Sequence, residues 1–114
     1  MIDTYILEGH TPVQEPDLMK WERWFETAER RVALTEKNGI RLLHYLSKRF
    51  EPVRISTVFL GINHQFFGEG KPLLFETMVF GGPHDEEMAR CSTWEEAEEQ
   101  HRRMVKKVKI EKPG

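Results

Sequence analysis

Two runs constrain this chain more than anything else in it. Val53 to Leu60 and Leu73 to Phe80 are both rich in β-branched and aromatic residues, and a Gly-containing segment, Gly61 to Pro72, joins them. Such runs fit a pleated surface, so they predict two neighbouring antiparallel strands at the centre of the fold. Folding back symmetrically around Phe67 sets Phe59 opposite Phe75, Thr57 opposite Thr77 and Ile55 opposite Val79 on one side. The other side receives Ser56, Val58, Leu60, Leu74, Met78 and Phe80. Both sides are largely apolar, which predicts a sheet covered on both faces.

The cover is sought in helices. Asp17 reads as an N-cap, and Leu18, Trp21, Phe25 and Ala28 recur at helical spacing, with Trp24 widening the stripe of a helix that ends near Arg30. A second helix follows Ser92-Thr93-Trp94-Glu95, read as a capping box with Ser92 as the cap. Its buried stripe is Trp94, Ala97, His101, Met104, Val105 and Val108, and Glu98 with Arg102 and Glu99 with Arg103 stand at the favourable i, i+4 spacing. Between 40 and 52, Leu42, Leu43, Leu46 and Phe50 predict a short third helix; a strand paired across Asn38-Gly39 is the competing reading.

Shorter signals complete the outline. Tyr5 to Leu7 predicts a small edge strand closed by Glu8-Gly9-His10, after which Pro12 and Pro16 are expected to prevent regular structure. Arg31 to Thr35 leans to strand before the turn Glu36-Lys37-Asn38-Gly39. Gly81-Gly82-Pro83 ends the second central strand, and Asp85 to Glu87 begin an exposed link. The fold class is therefore α+β: one domain over 1–114, with a small, mainly antiparallel sheet, two principal helices and a short third.

Charge and cysteine content narrow the function classes. Seventeen Lys and Arg against nineteen Asp and Glu give a formal net charge of −2, so there is no overall basic footprint and no strong nucleic-acid signal. The basic stretch Arg102 to Lys112 follows four glutamates and reads as a solvated helix end matched to the helix dipole. Val58 to Ile62, the longest nearly apolar run, is far too short to span a bilayer, and Met1-Ile2-Asp3 lacks a basic signal start, which predicts a cytoplasmic location. A single cysteine, Cys91, excludes an internal disulfide and reads as a bystander thiol. The five histidines are scattered without metal-ligand spacing, so no metal, no cofactor and no catalytic residue is assigned.

Binding chemistry is concentrated in one place. Asn63, His64 and Gln65 put amide and imidazole groups on a loop between two well-specified strands, and loops on rigid scaffolds carry recognition. Glu76 lies mid-strand among apolar residues and calls for a cation such as Arg54 or Arg31. Arg54, Asn63, His64, Gln65 and Glu76 are the candidate ligand-binding residues.

Asp17-Leu18-x-x-Trp21-x-x-Trp24-Phe25-Glu26, Arg31-Val32-Ala33, Ile55-Ser56-Thr57-Val58-Phe59-Leu60-Gly61 with His64, and Leu74-Phe75-Glu76-Thr77-Met78-Val79-Phe80-Gly81-Gly82 together resemble a family of small uncharacterised phage and prophage proteins. The likeness runs from residue 4 to residue 108 and is interrupted by an insertion around Ile40 to Pro52. It carries over no catalytic residue. What the resemblance implies is a non-enzymatic accessory protein, a homo-oligomer in the host cytoplasm. It would bind a host protein or a small nucleotide ligand and block or sequester part of a host defence system. Two alternatives accompany it. One is a small enzyme acting on a nucleotide or other phosphorylated metabolite, with His64 and Glu76 as its acid and base; the other is a structural or virion-associated component assembling through an apolar sheet face.

Overall fold

The computed structural model describes residues 3–37, 53–65 and 70–110. Its elements, in chain order, are β1 (Tyr5–Glu8), β2 (Thr11–Gln14), α1 (Leu18–Thr27), β3 (Arg31–Lys37), β4 (Val53–Phe59), β5 (Phe75–Phe80), β6 (Met88–Cys91) and α2 (Trp94–Ile110). The short helix expected between 40 and 52 and the loop tip at 66–69 lie outside the described residues.

β4 and β5 pair antiparallel in the register that the sequence implies: Ile55 with Val79, Thr57 with Thr77 and Phe59 with Phe75. β3 and β6 flank them to complete a four-stranded antiparallel sheet in the order β3-β4-β5-β6. β6 is a correction to the exposed link expected after Gly82. Only four residues long and carrying Arg90, it lacks the β-branched run that marks a strand in a sequence. β1 and β2 form a separate hairpin, with Leu7 opposite Pro12. Here too the expectation fails, since Pro12 sits inside a strand. In a two-stranded hairpin each strand has a free edge, where a missing N–H is tolerated. Gly9 at φ +62 supplies the left-handed first position of the two-residue turn.

α2 packs against all four strands of the larger sheet. Beneath it the alternation of β4 and β5 is strict, with Val53, Ile55, Thr57, Phe59, Phe75, Thr77 and Val79 all buried. The core divides in two. Val53, Ile55 and Val79 meet Met104 and Val108 at one end, while Phe59, Leu74 and Phe75 meet Ala97 at the other. The second cluster is closed by Tyr5 and Leu7 of the hairpin together with Trp24 of α1 and Trp94 of α2. α1 itself has no fully buried residue and leaves Leu18 61% exposed, so its stripe is narrower than expected. Its anchor is the Trp21 indole N–H, which donates to the carbonyls of Tyr5 and Gly61 at 3.1 Å each.

The caps follow the sequence with one shift. Asp17 Oδ1 accepts from the backbone N–H groups of Met19 and Lys20, as an N-cap does. In α2 the cap is Thr93 rather than Ser92. Thr93 Oγ1 accepts from the Glu96 N–H at 3.1 Å, and Glu96 Oε1 accepts in return from the N–H groups of Thr93 and Ser92. Downstream, Glu99 pairs with both Arg102 and Arg103, so one of the two expected i, i+4 pairs forms and the other is replaced by an i, i+3 contact.

Candidate functional site

Of the cover expected on both faces, α2 supplies one side; the short helix expected between 40 and 52 lies outside the described residues. Among the described residues no helix lies on the face opposite α2. By register that face is a grid of three rows across the strands: Glu36, Arg54 and Phe80; Leu34, Ser56, Met78 and Met88; and Arg31, Val58, Glu76 and Arg90. Phe80 and Met88 are each 44% exposed. An apolar middle row is thus bordered by two rows that hold charge.

Two of the five candidate residues stand on this open face. Arg54 is exposed, with its guanidinium 6.0 Å from the centre of the Phe80 ring. Glu76 accepts from Arg90 Nε at 3.0 Å. The partner expected for Glu76 was Arg54 or Arg31; because β6 inserts beside β5, Arg90 takes that place instead. Arg54 and Glu76 belong to opposite border rows and are not brought together.

The other three lie past the Phe59 and Phe75 end of the sheet, and there they organise the loop. Asn63 Oδ1 accepts from the N–H groups of Gln65 and Leu73 at 2.8 and 3.0 Å, which fastens one side of the loop to the other. His64 Nδ1–H donates to the Ile62 carbonyl at 2.8 Å, and its backbone N–H donates to the Leu73 carbonyl. The Gln65 amide lies against Gly70, where an added Cβ would come within 2.8 Å of Nε2.

A second constellation sits on the covered face, between the two halves of the core. His101 Nδ1 is 2.7 Å from Thr57 Oγ1, and Nε2 is 2.9 Å from Thr35 Oγ1. Thr57 Oγ1 is 2.7 Å from Thr77 Oγ1, which accepts from Gln100 Nε2 at 3.0 Å, and the same amide also donates to the Ala89 carbonyl. The belt touches every strand of the sheet. One arrangement gives each buried hydroxyl proton an acceptor. Gln100 donates to Thr77, Thr77 to Thr57 and Thr57 to Nδ1, which leaves the proton on Nε2 to bond Thr35. Burial holds the imidazole below its usual titration range, because the charged form loses solvation.

At Thr35 and His101 the belt borders a cleft of about 290 Å³ lined by these two with Arg102, Val105 and Lys106. Sequence reasoning placed His101 in the core stripe and the basic residues in a solvated end. It missed that Arg102 and Lys106, four apart, border a depression floored by Val105. Chemically, the cleft offers cations over a neutral, hydrogen-bonded floor. The Cys91 thiol is pushed up to about 11, chiefly by burial, so it stays protonated at neutral pH. Among the described residues no three His, Cys, Asp or Glu side chains converge as a metal site, and no helix is long and apolar enough to cross a membrane. Comparison of the chain with protein-family models, curated proteins and solved structures gives no match.

Proposed function

We propose that this chain is a non-enzymatic binding protein, a phage or prophage accessory protein that engages a host protein through the open face of its sheet. The observation that carries the reading is the mainly apolar row of Leu34, Ser56, Met78 and Met88, half-buried except at Met88, with exposed Phe80 beside it and charge on both borders. Recognition surfaces have this make-up, an apolar centre with a polar rim. Arg54, exposed and beside Phe80, is suited to a contact that combines charge with an aromatic ring. Blocking or sequestering a component of host defence requires such a surface and no turnover. The alternative enzyme reading gains no support from the placement of its acid and base, because the Glu76 carboxylate is held by Arg90 and His64 Nδ1 by a backbone carbonyl.

The test is site-specific photo-crosslinking in host cells. A crosslinking residue at position 80 or 88 is expected to trap one host protein, and Met78→Glu is expected to abolish the adduct while the circular dichroism spectrum stays native. The same residue at the exposed position 103, on the helix-covered side of the molecule and away from β3, is the control. Absence of an adduct at 80 and 88, or equal trapping at 103, overturns the proposal.

A further inference from the structure

The cleft beside β3 has a second feature that makes it more than a depression. β3 is an edge strand of the four-stranded sheet, paired with β4 on one side and with no described strand on the other. It is seven residues long and without proline, and among the described residues the backbone donors and acceptors of its outer edge have no strand partner, an arrangement that invites pairing. α2 lies over the middle of the sheet. It reaches toward β6 through Gln100, which bonds Ala89, and through Lys107, whose Nζ is 2.9 Å from Glu87 just ahead of β6. On the opposite flank, toward β3, it presents Arg102, Val105 and Lys106 above Thr35 and His101.

We propose that the β3 edge accepts an extended acidic segment of a partner protein as a fifth strand, with its inward carboxylates received by Arg102 and Lys106. The spacing is suitable. Residues four apart on a helix rise about 6 Å along its axis, and alternate residues of a strand are about 6.6–6.8 Å apart. Two acidic residues separated by one therefore reach Arg102 and Lys106 together, while backbone bonds to β3 supply affinity. A compact anion is less well served. The guanidinium of Arg102 gives Nε and Nη2 hydrogen bonds to Glu99 Oε2, so any anion meets it through its remaining N–H groups, and a small ion has no backbone pairing to add to them. A second copy pairing edge to edge fits worse still, since it would bring Arg102 and Lys106 of both helices toward one another across the new strand pair. Glu98, one turn before Arg102, is the acidic neighbour that limits the site at that end. The β3 edge and the open face are different surfaces, so this site stands or falls apart from the function proposed above.

The experiment uses the intact protein and the labelled peptide Thr-Glu-Val-Glu-Val-Thr, followed by fluorescence polarisation. Saturable binding that weakens with salt is expected. Replacing both Glu by Gln, or making the Arg102→Gln/Lys106→Gln variant, is expected to weaken it by about tenfold, the combined effect of two exposed ion pairs. Two N-methylated peptides, blocked on alternate sets of amides, separate strand addition from simple charge attraction. One set faces β3 and is expected to abolish binding, while the other leaves it intact. Equal binding of the two methylated peptides, or of the Glu and Gln peptides, overturns the proposal. Saturable binding of pyrophosphate without response to the peptide also overturns it and assigns the cleft to a phosphorylated small ligand.

Discussion

His101 is bonded at both ring nitrogens by threonine hydroxyls, and the two ends are not equivalent. Thr57 is fully buried, so Thr57→Val leaves His101 Nδ1 without a partner and the Thr77 hydroxyl proton without an acceptor, both away from water, while Thr77 keeps only the bond from Gln100. We expect a loss of about 2–4 kcal/mol in urea denaturation. Thr35 borders the cleft, so Thr35→Val lets water replace the hydroxyl, and we expect about 1 kcal/mol. The same ring sets a pH dependence. Its folded-state affinity for protons is lowered from the usual 6.5, so the unfolded chain binds the proton first. Stability should hold above pH 6.5 and fall as pH drops below it, until the folded-state value is also passed. His101→Gln should remove that part of the urea-midpoint profile. The carboxyls of Glu87, Glu96 and Glu99 are held below 4.5, chiefly by hydrogen bonds from His84, from the Ser92 backbone and from Arg102. They act in a separate, more acid range, where their stabilisation is lost as they protonate. The sequence revealed the Thr57 and Thr77 pairing and the burial of His101 but not the bond between them. Forty-four positions separate Thr57 from His101, and no periodicity links a strand residue to a helix residue at that distance.

The elements that read clearly are those with a long apolar pattern: β4, β5 and α2. β6 did not, because four residues cannot express a period, and its absence misassigned the partner of Glu76. The α2 cap was displaced by a single position because Ser92 and Thr93 both satisfy the capping chemistry, with Glu95 and Glu96 each three residues on. This gives a sharp expectation. Thr93→Ala should destabilise the protein by about 1 kcal/mol, whereas Ser92→Ala, which removes no capping oxygen, should be nearly neutral in thermal unfolding. The junction after β4 is more demanding. Gly61 has φ +78, and an added Cβ would lie 3.1 Å from the Phe25 ring and 3.3 Å from the Trp21 indole nitrogen. Gly61→Ala therefore strains the backbone and displaces α1 together, and a loss of about 2–3 kcal/mol is expected from chemical denaturation.

Across the whole molecule, one face of the large sheet is sealed by α2, and the other carries two of the five residues picked from the sequence. Asn63, His64 and Gln65 instead shape the loop, a role hidden in the sequence because amides and imidazoles suit turns and ligands alike. The open face also bears on the expected homo-oligomer. Strands of seven, seven, six and four residues, about 4.8 Å apart with a rise of about 3.3 Å per residue, project to roughly 380 Å². A standard stable interface buries about 800 Å² on each partner. Self-association through this face alone should therefore be weak, and light scattering should show monomers on dilution to micromolar concentration. A dimer that persists there would require another surface.

α2 is translated after every strand it seals. Until Ala97, His101, Met104 and Val108 have left the ribosome, Ile55 and Val79 lack the helix that covers them, Phe59 and Phe75 have only each other and the side chains of the hairpin and α1, and Thr57 and Thr77 lack the imidazole and amide that complete their bonds. A nascent chain arrested before Ser92 should remain protease-sensitive, and one extended beyond Lys109 should acquire resistance in a single step. Synthesis of this protein thus leaves a sticky, half-built sheet uncovered for the time needed to make α2, a window in which chaperones and misassembly compete for the same surface.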